Sequence, residues 1–354
     1  MTEEIKKMIN NLNITPDRLR QLLTRKDEII SGAKAVRLDY DSRIFLVANG
    51  SSKVGLQIAA FHWEKLLGIK PYVFGPYEFN HYPTTLRSTD IVLALSQTGT
   101  SHEVVEAIRL AGKQGAMTIA ITTIADSIIS QEAKLSFIIP EGIENNHYKI
   151  LGVISGIVAT YLVGYGIAIA NGFDTEIDND IKELNIIIDR YGDNAKATRS
   201  WVEANYEYQL KTATSFTVIG SGPLQAIAEE LAIKIMEVTN KQSLFMELEE
   251  YMHGACAVTD PDNYLIMIVG EEYADFALRY HDALAEDSKA MIWIGAKAPE
   301  AQVPIVLSKD PLMAVFDALA AVHGFIITYG ELGEHGAEGS RLFEYFQEAL
   351  KIRE

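Results

Sequence analysis

The sequence has little cysteine and a shortage of basic residues. Its 354 residues include one cysteine, Cys256, and 31 Lys and Arg against 48 Asp and Glu, a formal net charge of −17. One cysteine cannot form an internal disulfide, which argues against a small secreted scaffold. Nucleic acids and anionic membranes are bound largely through Lys and Arg. We therefore expect neither a nucleic-acid partner nor a membrane partner.

Signals for export, metals and nucleotide cofactors are also missing. The opening "MTEEIKKMINNL" lacks the apolar core of a secretory signal, which predicts a reducing, cytoplasmic location. No Cys/His cluster has the spacing of a zinc site, so we expect no metal. No glycine-rich motif of the dinucleotide or Walker type occurs, so we expect no cofactor.

One long apolar run could contradict a soluble protein. From Ile150, "ILGVISGIVATYLVGYGIAIANG" carries no charge and is long enough to cross a bilayer of roughly 30 Å. Gly152 and Gly156 have a spacing that is used for close helix contacts. The run stands alone between strand-rich segments and contains several glycines, so a buried helix or an oligomer interface is the favoured interpretation.

Apolar runs of strand length alternate with helix-like segments in both halves of the chain. The first five are "RIFLVA", "KPYVFG", "DIVLALS", "AMTIAITT" and "LSFIIP"; the second five are "SFTVIG", "SLFMELE", "NYLIMIVG", "AMIWIGA" and "VPIVLS". This pattern predicts an α/β fold of two domains, each with a five-stranded parallel sheet between helical layers. The predicted boundaries are 1–172 for N-terminal helices and the first domain, 173–210 for a helical linker, 211–330 for the second domain and 331–354 for a tail.

Two loops rich in hydroxyl groups follow strands of the first predicted sheet. The loops are "NGSS", with Ser51 and Ser52, and "SQTGTS", with Ser96, Thr98, Thr100 and Ser101 around Gly99. Hydroxyls and the N–H groups of a helix start can surround a phosphate without lysine. For either loop alone, ordinary turn and capping roles explain the residues equally well. Two such loops beyond strand ends of one parallel sheet favour an anion site.

The second half of the chain resembles a diverged repeat of the first. It repeats the order strand, glycine-hydroxyl turn, long helix and strand. Where the hydroxyl loop should recur, however, it reads "EEYADFA", with Glu271 and Glu272 at positions where an anion would be repelled. Only the first copy is therefore predicted to bind a phosphate.

Candidate acid-base residues lie in the second half. Lys234 and Glu237 are three residues apart on a predicted helix and share a face, although spacing alone fits a routine surface ion pair better. His253 follows the acidic strand end "ELEEY". Of the other histidines, His62 lies on an apolar helix and is expected to pack, while His147 in "ENNHYKILG" is an intermediate case.

These motifs together resemble the double SIS (sugar isomerase) module, in particular the isomerase half of glucosamine-fructose-6-phosphate aminotransferase. "SQTGTS" is close to that family's SQSGET pattern, and "GSGPLQAIAEELAIKIMEVTNKQSLFMELEEYMHGA" matches its catalytic region. The resemblance covers most of residues 40–325. It implies substrate phosphate contacts from Ser51, Ser52, Ser96, Gln97, Thr98 and Ser101.

The resemblance also implies roles for the second half. Glu237 would move a proton between C1 and C2 of the sugar, with Lys234 beside it. His253 would assist ring opening in the site of a neighbouring subunit, which implies a homodimer with shared active sites. Aldose-ketose chemistry requires such a base and a second proton-exchanging group.

The chain departs from the aminotransferase in several places. Thr2 stands where the glutamine-hydrolysing domain has its cysteine, so no glutaminase activity is expected. The tail lacks the lysine motif that closes on the sugar; Lys351 has a different setting, and His335 fits a linker better than a lid. Ala255 replaces a proline after the His-Gly pair.

These departures favour a fructosamine-6-phosphate deglycase or an amino-sugar phosphate deaminase. A sugar-phosphate aldose-ketose isomerase remains an alternative. So does a non-catalytic sugar-phosphate-binding regulator, although residues 1–40 are too short and too weakly charged for the DNA-binding domain of such regulators.

Overall fold

The computed structural model describes residues 2–82, 85–140, 142–259, 262–284, 291–299, 302–303, 305–333, 342 and 345–346. The tail positions 335 and 351 lie outside these residues. The described chain forms two compact units. The first-sheet unit contains Asp17–Asn145 and Leu151–Asn179, and the second-sheet unit contains Met1–Pro16, Asn146–Ile150 and Asp180–Glu338.

The first sheet has five parallel strands in the order β2-β1-β3-β4-β5. The strands are β1 (Ile44–Val47), β2 (Tyr72–Phe74), β3 (Ile91–Leu95), β4 (Met117–Thr122) and β5 (Leu135–Ile138). Each lies within one of the predicted apolar runs. β1 and β3 are buried at every position, as expected for strands covered on both faces. Val47 pairs with Ala94, so the loops after β1 and β3 leave the same edge next to each other.

Seven helices precede, separate or follow these strands among the described residues. They are α1 (Glu3–Thr24), α2 (Lys26–Ala33), α3 (Gly50–Leu67), α4 (Pro76–His81), α5 (His102–Lys113), α6 (Ile128–Glu132) and α7 (Leu151–Ala170). Alternate strand residues, such as Val47 and Val92, share one apolar cluster with Val104 and Ile108 of α5. This alternation follows from the two-residue period of a strand.

The long apolar run forms α7, and its prediction as a buried helix is confirmed. Seventeen of its 20 residues are buried inside the first-sheet unit. Close contact with α3 explains the glycine at position 164, because a Cβ there would lie 2.5 Å from Nε1 of Trp63 on α3. That indole donates a hydrogen bond to the Thr160 carbonyl at 2.9 Å. The glycine thus permits the close packing of α3 against α7.

His62 of α3 packs inside the first-sheet unit, as predicted. Its ring stacks on Tyr161 with centroids 3.8 Å apart and meets Tyr165 edge-on at 4.9 Å. Desolvation, with a smaller contribution from Lys65, lowers the pKa of His62 to about 3. The folded imidazole is therefore neutral at pH values where an unfolded histidine already binds a proton.

Acidification is therefore expected to destabilise this unit through His62. The unfolded state binds a proton near pH 6.5, so stability falls as the pH drops from about 6.5 towards 3, by about 2 kcal/mol at pH 5. Urea unfolding at pH 7.5 and pH 5 measures this loss. His62→Phe should remove that part of the pH dependence, whereas the exposed-site control His81→Gln should retain it. Equal pH dependence in His62→Phe and wild type would contradict the assignment.

The second sheet has four parallel strands among the described residues, in the order β7-β6-β8-β9. They are β6 (Ser215–Gly220), β7 (Gln242–Glu247), β8 (Asn263–Val269) and β9 (Met291–Gly295). The two-domain α/β architecture is confirmed, but the predicted fifth strand "VPIVLS" is not observed in this part of the chain. Val303 makes a single bridge to Ile294. Residues 305–308 have no regular secondary structure.

The helices of the second-sheet unit are α8 (Ile177–Asn205), α9 (Pro223–Thr239), α10 (Ala274–Leu284) and α11 (Pro311–Leu332). The polar stretch before this sheet forms one long helix, α8, followed by a π-helical turn at Tyr206–Leu210. α11 is apolar and fully buried along its most hydrophobic window. Its Asp317 is completely buried and accepts two hydrogen bonds from Arg190 of α8, at 2.8 and 2.6 Å. This ion pair fixes α11 against α8.

Candidate functional site

The hydroxyl-rich loop begins directly after β3. Ser96 is buried; its Oγ accepts a hydrogen bond from the Gly99 N–H at 3.2 Å and lies 3.4 Å from the Ser101 Oγ. Gly99 has φ +66°, and a Cβ there would lie 2.3 Å from the Ser127 Oγ. Only glycine suits this position, because the left-handed conformation and the close contact both disfavour a side chain. The loop is therefore held in one tight shape.

Two helix starts with hydroxyl groups lie at the same edge of the first sheet. α5 begins after Ser101, and α3 begins after Asn49; neither residue's side chain caps its helix. Ser51 and Ser52 occupy the first turn of α3. Because β1 and β3 are neighbours, these helix starts converge beyond adjacent strand ends. This is the position where open parallel sheets bind ligands, at the reversal of strand order.

Contacts of Thr98 and Gln97 fix the shape and position of the hydroxyl-rich loop. The Thr98 hydroxyl lies 3.0 Å from that of Thr100, within the loop. The Gln97 carbonyl accepts hydrogen bonds from both hydroxyls of the pair Thr122 and Thr123, at 3.1 and 2.8 Å. These contacts hold the loop against the end of β4. The Gln97 side chain points away to Glu144, with its Nε2 3.5 Å from Oε2.

Glu144 is a residue that sequence reasoning missed. Its two carboxylate oxygens accept hydrogen bonds from the N–H groups of Leu151 and Gly152, at 2.9 and 2.8 Å. It thereby caps the start of α7, where a negative charge is stabilised by the helix dipole. An acidic residue shortly before a long apolar helix was the available signal.

In the second-sheet unit, buried Lys234 pairs with partly exposed Glu237 near the end of α9. Lys234 is 1% exposed, and its Nζ donates to Glu237 Oε2 at 2.7 Å. The same Nζ lies 3.5 Å from Oε1 of Glu230, which is completely buried. The pair is therefore not a surface ion pair. Glu230 was not singled out from sequence, because a glutamate inside a helix carries no separate signal.

Glu237 keeps contact with solvent, since 32% of its side chain is exposed. Burial raises the pKa of Glu237 above its ordinary value. Lys234 opposes this rise by charge and hydrogen bonding, Glu230 adds to it, and Lys149 opposes it. A carboxylate with a raised pKa and solvent access is suited to accept a proton from a bound ligand.

The segment Asn146–Ile150 belongs to the same unit and lies near this pair. Asn11 of α1 donates to the Asn146 side chain at 3.2 Å, and Glu4 accepts from the backbone N–H of His147. Tyr148 is nearly buried, and burial raises its pKa, with further contributions from Glu237 and Glu4. Tyr148 thus shares the electrostatic surroundings of Glu237, whereas the His147 ring is exposed.

His253 lies elsewhere in the unit. It is exposed, in a single 3₁₀ turn at Glu250–His253 that follows the end of β7. Glu237 lies in the last turn of α9, just before β7 begins. The six residues of β7 separate the two positions by roughly 17–20 Å of strand. Within one chain, the structure does not bring His253 to Glu237.

The edge of the second sheet that corresponds to the hydroxyl loops is acidic. Glu271 and Glu272 line a cavity of about 440 Å³ there, together with Glu247 and Glu249. The Ser221 hydroxyl donates to Glu247 at 2.8 Å. The two units thus present opposite electrostatics at equivalent edges. Among the described residues, no cluster of three or more His, Cys, Asp or Glu side chains is arranged for a metal ion.

Residues 38–170 and 209–316 match the family model described as the SIS domain. The chain is 24% identical over 221 residues to a glutamine–fructose-6-phosphate aminotransferase of Thermotoga maritima. The aligned region covers 62% of this chain and 36% of that relative. The chain therefore spans little more than a third of that relative's length.

Solved structures share the fold. A Clostridium difficile 630 protein ascribed to the phosphosugar isomerases superimposes with a TM-score of 0.85 at 20% identity, covering 97% of both chains. A glucosamine-6-phosphate deaminase of Thermotoga maritima superimposes with a TM-score of 0.78 at 17% identity, covering 96% of this chain and 98% of that one. At these identities the likeness establishes a common fold.

Proposed function

The chain belongs to the SIS domain family, and on that premise we propose that it is an enzyme acting by proton transfer at C1 and C2 of a hexose or amino-sugar 6-phosphate. The observation that carries the proposal is the buried Lys234–Glu237 pair, with Glu237 partly open to solvent. Burial of such a pair carries a desolvation cost. A protein that only binds sugar phosphates has no need for it.

The first-sheet unit supplies the phosphate-binding groups in this proposal. Hydroxyls and N–H groups at the starts of α3 and α5 stabilise the phosphate through their hydrogen bonds and partial positive charge. The assigned residues are Ser51, Ser52, Ser96, Gln97, Thr98 and Ser101. Because the Gln97 side chain is turned to Glu144, Gln97 acts by fixing the loop through its carbonyl.

Glu237 is the base. In a fructosamine 6-phosphate it removes a proton from C1, and the electron pair forms a C1=C2 double bond while the C2 carbonyl oxygen gains a proton. A proton then returns to C2 while the amine nitrogen gives its lone pair to C1 and loses its N–H proton, which leaves a C1=N imine. Water hydrolyses this imine to a sugar phosphate and an amine. The Lys234 ammonium orients the carboxylate and stabilises its charged form.

Two reaction types remain within this proposal. A fructosamine-6-phosphate deglycase or an amino-sugar phosphate deaminase is preferred, and the fold likeness to a glucosamine-6-phosphate deaminase supports this choice. A plain aldose-ketose isomerase is the second candidate, supported by the likeness to a phosphosugar isomerase.

A cytoplasmic homodimer is part of the proposal. His253 is exposed and lies past the far end of β7 from Glu237. A ring-opening histidine in that position serves a neighbouring subunit's site more readily than its own.

A substrate panel tests the proposal. Purified protein is incubated with fructose 6-phosphate, glucosamine 6-phosphate and several fructosamine 6-phosphates, and release of ammonia, release of amine and aldose-ketose exchange are measured. We expect turnover of one phosphorylated class and none of the same sugar without phosphate. Binding of phosphosugars without turnover of any of them would support the regulator instead.

A further inference from the structure

α11 carries a buried histidine that the proposed reaction does not use. His323 is completely buried in the second-sheet unit. Its Nε2 lies 3.8 Å from Glu230 Oε1, and its Nδ1 lies 3.5 Å from the Tyr191 hydroxyl of α8. Glu230 is in turn 3.5 Å from the Lys234 ammonium. Tyr191, His323 and Glu230 therefore form a buried row that ends at the pair of Lys234 with Glu237.

The carboxylates of Glu230 and Glu237 compete for the ammonium group of Lys234. Lys234 lies 2.7 Å from Glu237 and 3.5 Å from Glu230, so both carboxylates attract it. Attraction between charges is strong where water is excluded, and Glu230 is completely buried. A second donor directed at the same oxygen of Glu230 weakens its demand on Lys234. His323 is in that position, because its Nε2 lies 3.8 Å from Oε1, the oxygen that Lys234 approaches.

The contact with Tyr191 and the nearness of the Glu230 carboxylate together favour the His323 tautomer that has its hydrogen on Nε2. A hydroxyl that donates to Nδ1 leaves the hydrogen on Nε2, because the partner of one ring nitrogen fixes the tautomer. Nε2 is the nitrogen nearest to Glu230. The orientation of the ring thus directs an N–H towards the buried carboxylate.

We propose that His323 is a positioning residue, whose Nε2–H partly offsets the charge of the Glu230 carboxylate across 3.8 Å, so that the Lys234 ammonium stays on Glu237. The inference rests on the proposed role of Glu237 as the base and adds a regulator of its proton affinity. Without His323, Glu230 draws Lys234 away, and Glu237 keeps its proton to a higher pH.

Substitution of His323 leaves the other ionisable groups near Glu237 unchanged. Its own helix supplies Lys234 and Glu230, and the segment Asn146–Ile150 supplies Lys149 and Tyr148. Glu4 of α1 influences Tyr148. A change in the titration of Glu237 on substitution of His323 therefore reports the buried row.

Two variants with opposite expectations test the inference. His323→Leu removes the N–H but suits an apolar interior, whereas His323→Gln keeps an N–H that can reach Glu230. Carbon-13 labelled glutamate follows the Glu237 carboxyl by NMR, and its signal is identified by loss in Glu237→Gln. In His323→Leu the midpoint should rise by about one pH unit. His323→Gln should stay near wild type.

Activity gives a second readout. The acid limb of kcat/KM should move with the Glu237 midpoint in His323→Leu, which lowers the rate about tenfold below that midpoint. If His323 only fills space, His323→Gln should impair the protein more than His323→Leu, because burying a glutamine amide costs more than burying leucine. If His323→Leu does not fold, Tyr191→Phe replaces it, since loss of the hydroxyl lets the hydrogen move to Nδ1.

The outcomes separate this inference from the function on which it rests. An unchanged Glu237 midpoint in His323→Leu, or in Tyr191→Phe as its substitute, overturns the inference whatever the activity. A raised midpoint in a protein that turns over no phosphosugar supports the buried row and removes the proposed enzyme. A raised midpoint together with a displaced acid limb supports both.

Discussion

Glu237→Gln is expected to lower kcat on the protein's phosphosugar substrate about a thousandfold, with KM changed only a few-fold. Glutamine preserves the shape of the side chain but cannot accept the C1 proton, and a positioned acid-base group typically contributes 10²- to 10⁴-fold. Steady-state kinetics on the substrate identified by the panel measure the effect. The residues proposed to bind the phosphate belong to the other unit and are not altered by this change.

Two further measurements sharpen the assignment of Glu237. Glu203→Gln is a matched control, because Glu203 is an exposed carboxylate on α8 of the same unit. It should keep wild-type kinetics. In wild type, kcat/KM should rise with pH through a midpoint above the ordinary glutamate value of 4.5, because burial raises the pKa of this carboxyl. A Glu237→Gln enzyme within tenfold of wild type would exclude Glu237 as the base.

Gly99→Ala is expected to raise KM for a phosphorylated substrate about a hundredfold. Its backbone has φ +66°, and the new Cβ would lie 2.3 Å from Ser127 Oγ, so the loop must move. Losing one or two charge-assisted hydrogen bonds to phosphate, at about 1.5–3 kcal/mol each, accounts for that factor. The effect on kcat should be small, because the base lies in the other unit.

Gly112→Ala provides the matched control for this loop. Gly112 lies inside α5, and a Cβ there meets nothing within 4 Å. It should leave KM unchanged and slightly favour the helix. Isothermal titration with a non-reacting sugar phosphate gives the affinities directly. Wild-type affinity in a folded Gly99→Ala protein would show that the hydroxyl loop is not the phosphate site.

The strand pattern was predictable because it is written in local sequence. Runs such as "DIVLALS" and "NYLIMIVG" contain β3 and β8, since a strand buried on both faces requires consecutive apolar residues. The segment "VPIVLS" shows the limit of this reasoning. Its apolar character matches a strand, yet the described part of the segment pairs only through the isolated bridge of Val303 with Ile294.

The candidate site was predictable only in part. The loops holding Ser51 and Ser96 were identifiable because glycine and hydroxyl residues after a strand have a local signature. The contact of Glu144 with Gln97 and the electrostatic coupling of Tyr148 to Glu237 had no such signature. They depend on chain segments that are distant in sequence and become neighbours only by folding.

The sequence by itself determined the family, the two parallel sheets and the residue types available for phosphate binding and proton transfer, because these depend on local patterns of apolar, glycine and hydroxyl residues. Tertiary structure alone decided which charges are buried together. Lys234 is one of many lysines until α9 packs in the unit's interior beside α11. There, Glu230 lies 3.5 Å from the Lys234 ammonium, and His323 lies 3.8 Å from Glu230. Removal from water, rather than residue type, gives this row its chemical character.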